Sequence, residues 1–267
     1  MKKYGFIGLG SQGAPIAQCM INAGLPTVLW ARRPASLLPF KESSSEEAST
    51  IEELAQLSDY VGVCVVDNND VIEVCHKLAP NMKSGAYIAI HSTVHPDVCR
   101  EMARSAARHS VRVVDAPVSG GAPAAVKGEL TVMVGGTPDD FAVLTPIFKT
   151  FGKLIIHLGD VGAGQHAKLI NNAMLAANIA IGHYGFEAAE TLGLDRDAFC
   201  DLVRHSSGHS FGFDVSARMS APATFEHGAR MLDKDVRLLG EALGESQAFS
   251  VINSAATSFL KQALNDT

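Results

Sequence analysis

From Lys3 to about His157 the chain alternates between short apolar runs and stretches with apolar residues at helical spacing. The runs are YGFIGL, TVLW, YVGVCVV, AYIAI, VRVVD, LTVMV and LIIHL. They are apolar on both faces, as strands covered by helices on each side should be. Between them Ala14–Ala23, Val71–Leu78 and Pro96–Arg108 read as helices. This alternation predicts a doubly wound, mostly parallel sheet. Glu42–Ser49 (ESSSEEAS), a low-complexity patch, reads as an exposed loop.

After Gly164 the pattern changes. Gln165–Leu192 has the length and composition of one long helix, and Arg196–Arg204, Lys234–Leu243 and Val251–Leu264 read as further helices with no strand among them. The loop Gly159–Gly164 (GDVGAG) therefore marks a boundary, between a nucleotide-binding domain over 1–161 and an all-helical domain over 162–267. The long helix is apolar around much of its circumference, more than one domain face can cover, which predicts a homodimer or homotetramer.

Composition narrows the function. The 267 residues suffice for two domains, and 47% apolar with 19% charged residues is globular usage. A net charge of −6 argues against nucleic acid as partner but leaves room for a local basic site. The five cysteines form no CxxC pair, which suits buried thiols in a reducing cytoplasm. The ten histidines form neither HxH nor HExxH, so no metal is expected. No run approaches the roughly 20 apolar residues of a membrane span. The opening MKKYGFIGLG has too short an apolar run for a signal peptide and leads straight into a glycine motif.

That motif, Gly8-Leu9-Gly10-Ser11-Gln12-Gly13, closes the first strand and opens the first helix. One glycine makes the tight turn, one lets backbone approach a pyrophosphate, and one packs helix on strand. The helix N-terminus offers N–H groups and a positive dipole end to the phosphates. Strand, spacing and helix agree on a Rossmann-type dinucleotide site. An NAD enzyme usually places an acid at the end of the second strand for the ribose 2′-OH. Here the chain reads Trp30-Ala31-Arg32-Arg33-Pro34, and two guanidinium groups suit the 2′-phosphate of NADP. A solvated basic turn is the plainer alternative.

Three further segments carry polar groups. Asp115-Ala116-Pro117-Val118-Ser119-Gly120-Gly121 follows a strand, where ligands of open α/β sheets bind, and its Ser-Gly-Gly turn can seat a carboxylate. Alone it is equally a plain Pro/Gly loop. In Gly164–Asn172, at the start of the long helix, Lys168 and Asn172 are four apart and share a helix face. The ammonium could serve as general acid in reduction and general base in oxidation, with Asn172 orienting the substrate oxygen and the lysine; a snorkelling surface lysine is the alternative. Leu232-Asp233-Lys234-Asp235 alone reads as a solvated charge cluster near a helix start. His209 lies in a loop, a position from which a substrate could be reached.

Together the DAPVSGG run and the lysine-to-asparagine spacing resemble the β-hydroxyacid dehydrogenase family, the group of 3-hydroxyisobutyrate dehydrogenase and tartronate semialdehyde reductase. The resemblance spans almost the whole chain. It implies hydride transfer between NADP(H) and a small 3-hydroxy acid or semialdehyde, with a carboxylate substrate. By the same resemblance Lys168 is the catalytic lysine and Asn172 its neighbour, while Ser119, Gly120 and Gly121 hold the carboxylate. Val65 and Val66 pass the adenosine side of the cofactor, Thr93 lies near the nicotinamide, and Lys234 closes over the cofactor. The Ala-Arg-Arg turn is similar to the Asn-Arg-Ser/Thr turn of NADP-using members. The chain departs from the family at Gln12, where methionine is usual, and at Ile90, where aspartate is common. It is also short between His209 and Lys234 and after its last helix. Three rivals stand beside this reading. An imine-reducing relative would lack Lys168, a 6-phosphogluconate dehydrogenase would be much longer, and a non-catalytic NADP-binding sensor would not need Lys168, Asn172 and Ser119.

Overall fold

A computed structural model describes residues 2–265 of the chain. It divides into two compact units, Met1–Lys168 and Leu169–Thr267. The division falls inside a single long helix, because that helix continues from the first unit into the second without a break.

The first unit is a nine-stranded sheet in the order β3-β2-β1-β4-β5-β6-β8-β7, with β9 pairing β8. Its predicted strands are β1 (Tyr4–Ile7), β2 (Thr27–Trp30), β4 (Tyr60–Val63), β5 (Tyr87–Ile90), β6 (Arg112–Asp115), β8 (Leu130–Gly135) and β9 (Gly152–Gly159). Pairing is parallel from β3 to β6, antiparallel between β6 and β8, and parallel again between β8 and β9. The strands alternate their side chains between two cores, as a two-sided sheet requires. Ile7, Val28, Val61, Ile88 and Val113 point into one core, where α2 (Ile51–Leu57), α3 (Asn68–Leu78) and α4 (Pro96–Ala107) pack. Phe6, Leu29, Tyr60, Ala89 and Val114 point into the other, beneath α1 (Gly13–Asn22), α5 (Gly121–Lys127) and α6 (Pro138–Phe148).

Two short strands depart from the sequence reading. Within the patch read as a loop, Glu46–Glu47 forms β3 beside β2; both residues are exposed, so nothing apolar announced them. Val118–Ser119, inside the Pro/Gly loop, forms β7 against β8.

The second unit is all helical. It takes up the long helix α7 (Ala163–Thr191) and adds α8 (Arg196–Arg204), α9 (Phe211–Ala217), α10 (Glu226–Leu243) and α11 (Gln247–Leu264). Its core joins the small residues Ala173, Ala176 and Ala180 of α7 to Leu232, Val236 and Leu239 of α10 and to Phe259 and Leu260 of α11. No described helix is long and apolar enough to cross a membrane.

Candidate active site

At the carboxyl end of β1 two of the three fingerprint glycines have separate steric reasons to be there. Gly8 has φ +95°, in the left-handed region, and a Cβ on it would collide with the Cys64 carbonyl. A Cβ on Gly13 would collide with the Gly8 carbonyl, so α1 can lie this close to β1 only with glycine there. Gly10 faces open space. No side chain caps the N-terminus of α1, at Gln12. In its first turn the Ala14 N–H bonds the Gly10 carbonyl at 3.0 Å and Pro15 has no N–H, so a pyrophosphate would meet this turn at Gln12 and Gly13. A cleft of about 410 Å³ opens beside this turn, lined by Gly8, Leu9 and Gly10, by Arg32 and Arg33 after β2, and by Val65 and Val66 after β4. The site thus has the shape and the donors to take a dinucleotide. Ser11, Gln12 and Gly13 lie just beyond the cleft lining, where the turn becomes helix.

No acid stands at the end of β2, but two acids of α3 face the arginine that follows it. Arg32 Nη2 stands 2.7 Å from Asp70 Oδ1 and 3.6 Å from Glu73 Oε2, both on α3. Asp70 itself lines the cleft. The hydrogen bond and the charge of Asp70 raise the Arg32 pKa further above its ordinary value. Arg32 is 61% exposed, so this pairing is open to water and salt.

The chemistry-bearing segments lie at the ends of β5 and β6 and at the start of α7, and none of them lines the cleft. Thr93 is half-buried in the loop after β5. Ser119 is the second residue of β7, and Gly120 and Gly121 take φ +129° and +67°, which is why two glycines make this turn. Lys168 is 8% exposed, so it does not snorkel into solvent. Asp115 accepts from the Gly162 N–H at 2.6 Å and the Gln165 N–H at 2.7 Å. Burial pushes its carboxyl up to about 6, against the lowering effect of those hydrogen bonds.

In the helical unit Asn172 is buried and donates through Nδ2 to Asp235 Oδ2 at 2.6 Å. This corrects the reading of Leu232–Asp235 as a solvated cluster near a helix start. The segment lies in the middle of α10, which begins at Glu226, and Asp235 is 2% exposed. Lys234 is half-buried, with its ammonium 3.4 Å from Asp235 Oδ1. The apolar stripe Leu232, Val236 and Leu239 held the missed signal: Asp235 falls on that same face, where an acid needs a partner. His209 pairs with Asp214 at 2.8 Å on the surface of this unit.

Sequence reasoning also passed over His91, Gln165 and Asp70. His91 is fully enclosed by Phe6, Phe148 and Phe151 and bridges the Tyr60 hydroxyl and the Ala116 carbonyl. Burial pushes it down to about 4 and holds it neutral. Of the five cysteines, Cys75 and Cys99 are buried and Cys19, Cys64 and Cys200 partly so.

Comparison with known proteins agrees with this geometry in both halves. Residues 3–159 match the NAD-binding domain of 6-phosphogluconate dehydrogenase, and residues 162–267 match the domain described as NAD-binding of NADP-dependent 3-hydroxyisobutyrate dehydrogenase. An uncharacterized oxidoreductase of Mycobacterium tuberculosis is 34% identical over 255 residues, covering 91% of this chain and 86% of the relative. The mitochondrial 3-hydroxyisobutyrate dehydrogenase of Mus musculus is 32% identical over 214 residues, which are 79% of this chain and 64% of that enzyme. A solved 3-hydroxyisobutyrate dehydrogenase of Mycobacterium tuberculosis with L-serine superposes with a TM-score of 0.88 at 25% identity, covering 98% of this chain and 93% of that one. Glycine turn, cleft and long helix are thus those of an oxidoreductase with an NAD(P)-binding domain, and the chain belongs to the 3-hydroxyisobutyrate dehydrogenase family.

Proposed function

We propose that the chain is an NADP-dependent reductase or dehydrogenase that interconverts a small semialdehyde and the corresponding 3-hydroxy acid. The substrate type is that of 3-hydroxyisobutyrate, tartronate semialdehyde or succinic semialdehyde. The observation that carries the reading is the burial of Lys168 at the start of α7, which favours it over the surface-lysine alternative. NADP(H), when bound, supplies or accepts the hydride. Gly8 to Gly13 and the start of α1 hold its pyrophosphate, Arg32 and Arg33 its 2′-phosphate, Val65 and Val66 its adenosine side, and Thr93 its nicotinamide end. Lys234, on α10, is a further cofactor-binding residue by the family resemblance. Ser119, Gly120 and Gly121 bind the substrate carboxylate through N–H groups and a hydroxyl. Lys168 gives its proton to the carbonyl oxygen in reduction and takes it back in oxidation, and Asn172, held by Asp235, keeps the helix face in register.

The preference for NADP rests on Arg32 and Arg33 at the cleft, and the domain description matched by residues 162–267 supports it. The solved relative with L-serine, itself a 3-hydroxy acid, supports the substrate class. Ile170, Met174 and Ile181 of α7 are exposed in the single chain, which favours a homodimer or homotetramer that covers them. Five free thiols favour the cytoplasm. The test is NADPH oxidation measured against a panel of short semialdehydes, 2-oxoacids and succinic semialdehyde. Turnover of a semialdehyde is expected. Tight NADPH binding without turnover across the panel would leave the non-catalytic sensor standing instead.

A further inference from the structure

Asp115 ends β6, the strand that leads into Ser119–Gly121, and is fully buried. Its carboxylate reaches across to the start of α7 and binds the N–H groups of Gly162 and Gln165. The first turn of a helix has N–H groups without helical partners and a dipole that favours negative charge, so both atoms are well placed. Elsewhere in this chain such caps are local: Thr137 caps α6 and Asp195 caps α8, each three residues from the N–H it binds. For α7 the cap comes from a strand 47 residues away. A local cap stabilises a helix wherever it lies. A remote, buried one also fixes where the helix begins against the sheet.

The surroundings are built around this contact. A Cβ on Gly135, the residue paired with Asp115 across β6 and β8, would collide with Asp115 Oδ1. A Cβ on Gly164 would stand 2.9 Å from Asp115 Oδ2 and collide with the Met133 carbonyl. Gln165 adds a second tether. Its Nε2 donates to the Ser92 carbonyl at 2.8 Å, and its Oε1 accepts from the Val94 N–H at 3.1 Å. The Ser92 hydroxyl in turn accepts from the N–H of Val65, in the cofactor cleft, at 2.8 Å. Lys168 follows one turn after these tethers.

We propose that Asp115 is a positioning residue for the reaction, fixing with Gln165 the first turn of α7 and through it the point at which Lys168 delivers its proton. This rests on Lys168 as the proton donor. A misplacement of about 1 Å can cost a proton-transfer geometry on the order of a hundredfold in rate, so small shifts of this turn matter.

The test is a double-mutant cycle on the full chain, with whichever semialdehyde of the panel is turned over. Asp115→Asn keeps the shape but sets an amide N–H against a backbone N–H. It should lower kcat by about 10- to 100-fold, while the NADPH Kd from fluorescence titration stays within about twofold. In a Lys168→Ala background the same substitution should cost no more than about twofold, because the group it positions is gone. Gln165→Met, which keeps the Asp115 contacts and removes the second tether, should repeat the pattern more weakly and serves if the asparagine variant does not fold. Equal losses in both backgrounds, or no loss in either, would overturn the proposal. A Lys168→Ala protein with undiminished kcat would overturn the lysine assignment as well, and that result is visible in the single variant alone.

Discussion

Two regions of the sheet unit, the cleft beside β1 and the start of α7, are built by different means. The cofactor cleft is backbone and exposed charge: glycines that leave room, a helix start without a side-chain cap, and an Arg32 shared with Asp70 in open water. The start of α7 is side chain and burial: Asp115 and Gln165 are fully enclosed, and their hydrogen bonds run from 2.6 to 3.1 Å. Exposed charges are screened and adjustable, whereas buried contacts allow one arrangement or a costly failure. The cleft can therefore tolerate substitution with graded loss of affinity. The helix start should respond to it sharply, in rate or in stability.

The largest effect expected from that contrast is at Lys168. Lys168→Ala should lower kcat by on the order of 10² to 10⁴, the usual worth of a positioned acid–base group, with little change in NADPH affinity. Lys168→Arg should also be poor, since a guanidinium keeps its proton and cannot act as base in oxidation. Steady-state kinetics in both directions decide this; near-normal kcat in Lys168→Ala would break the assignment.

Next in size is the pH dependence of stability. The Asp115 carboxyl is up at about 6 against its ordinary 3.8, so the folded protein holds a proton that the unfolded chain lacks between those values. Its contribution therefore grows as pH falls from about 6 to 3.8, by about 3 kcal/mol. His91 is down at about 4 against 6.5, so its contribution is lost as pH falls from 6.5 to about 4, again by about 3 kcal/mol. The two nearly cancel in the unaltered protein. Asp115→Asn leaves only the His91 loss, so its melting temperature should fall much more steeply between pH 6.5 and 4. Parallel curves for the two proteins would contradict both shifts.

Smaller effects belong to the cleft. The unaltered protein should prefer NADPH to NADH by about tenfold or more, and Arg32→Ala should narrow that gap mainly through the NADPH KM. Equal use of the two cofactors by the unaltered protein would remove NADP from the proposal. Smallest of all, Asp70→Asn should widen the preference by severalfold at low salt, because the carboxylate that competes with a 2′-phosphate for Arg32 is gone. The widening should shrink as salt is added; a narrower preference would mean that Asp70 helps Arg32 to hold the phosphate.

Much of this was legible beforehand because it is local. The seven apolar runs became seven strands, and Gly8 and Gly13 proved to be glycines for steric reasons that any strand–turn–helix of this spacing imposes. The DAPVSGG and lysine-to-asparagine segments pointed to the family because short motifs survive without knowledge of their neighbours. Glu46–Glu47 was missed since an edge strand with both side chains in water leaves no apolar trace. Asp235 was misjudged because α10 begins at Glu226, well before the segment read as its start, which hid the buried face on which Asp235 lies.

Local pattern thus sets the elements, the class of cofactor and the residue types available for chemistry, since period, turn stereochemistry and motif spacing all act within a few residues. Which acid meets which donor is settled by the fold alone. Asp70 reaches Arg32 from 38 residues away, Asp115 reaches Gln165 from 50, and Asn172 reaches Asp235 across 63. A carboxylate in a sequence carries no mark of its partner. Its role is settled when folding removes the water around it and leaves particular N–H groups or cations within reach.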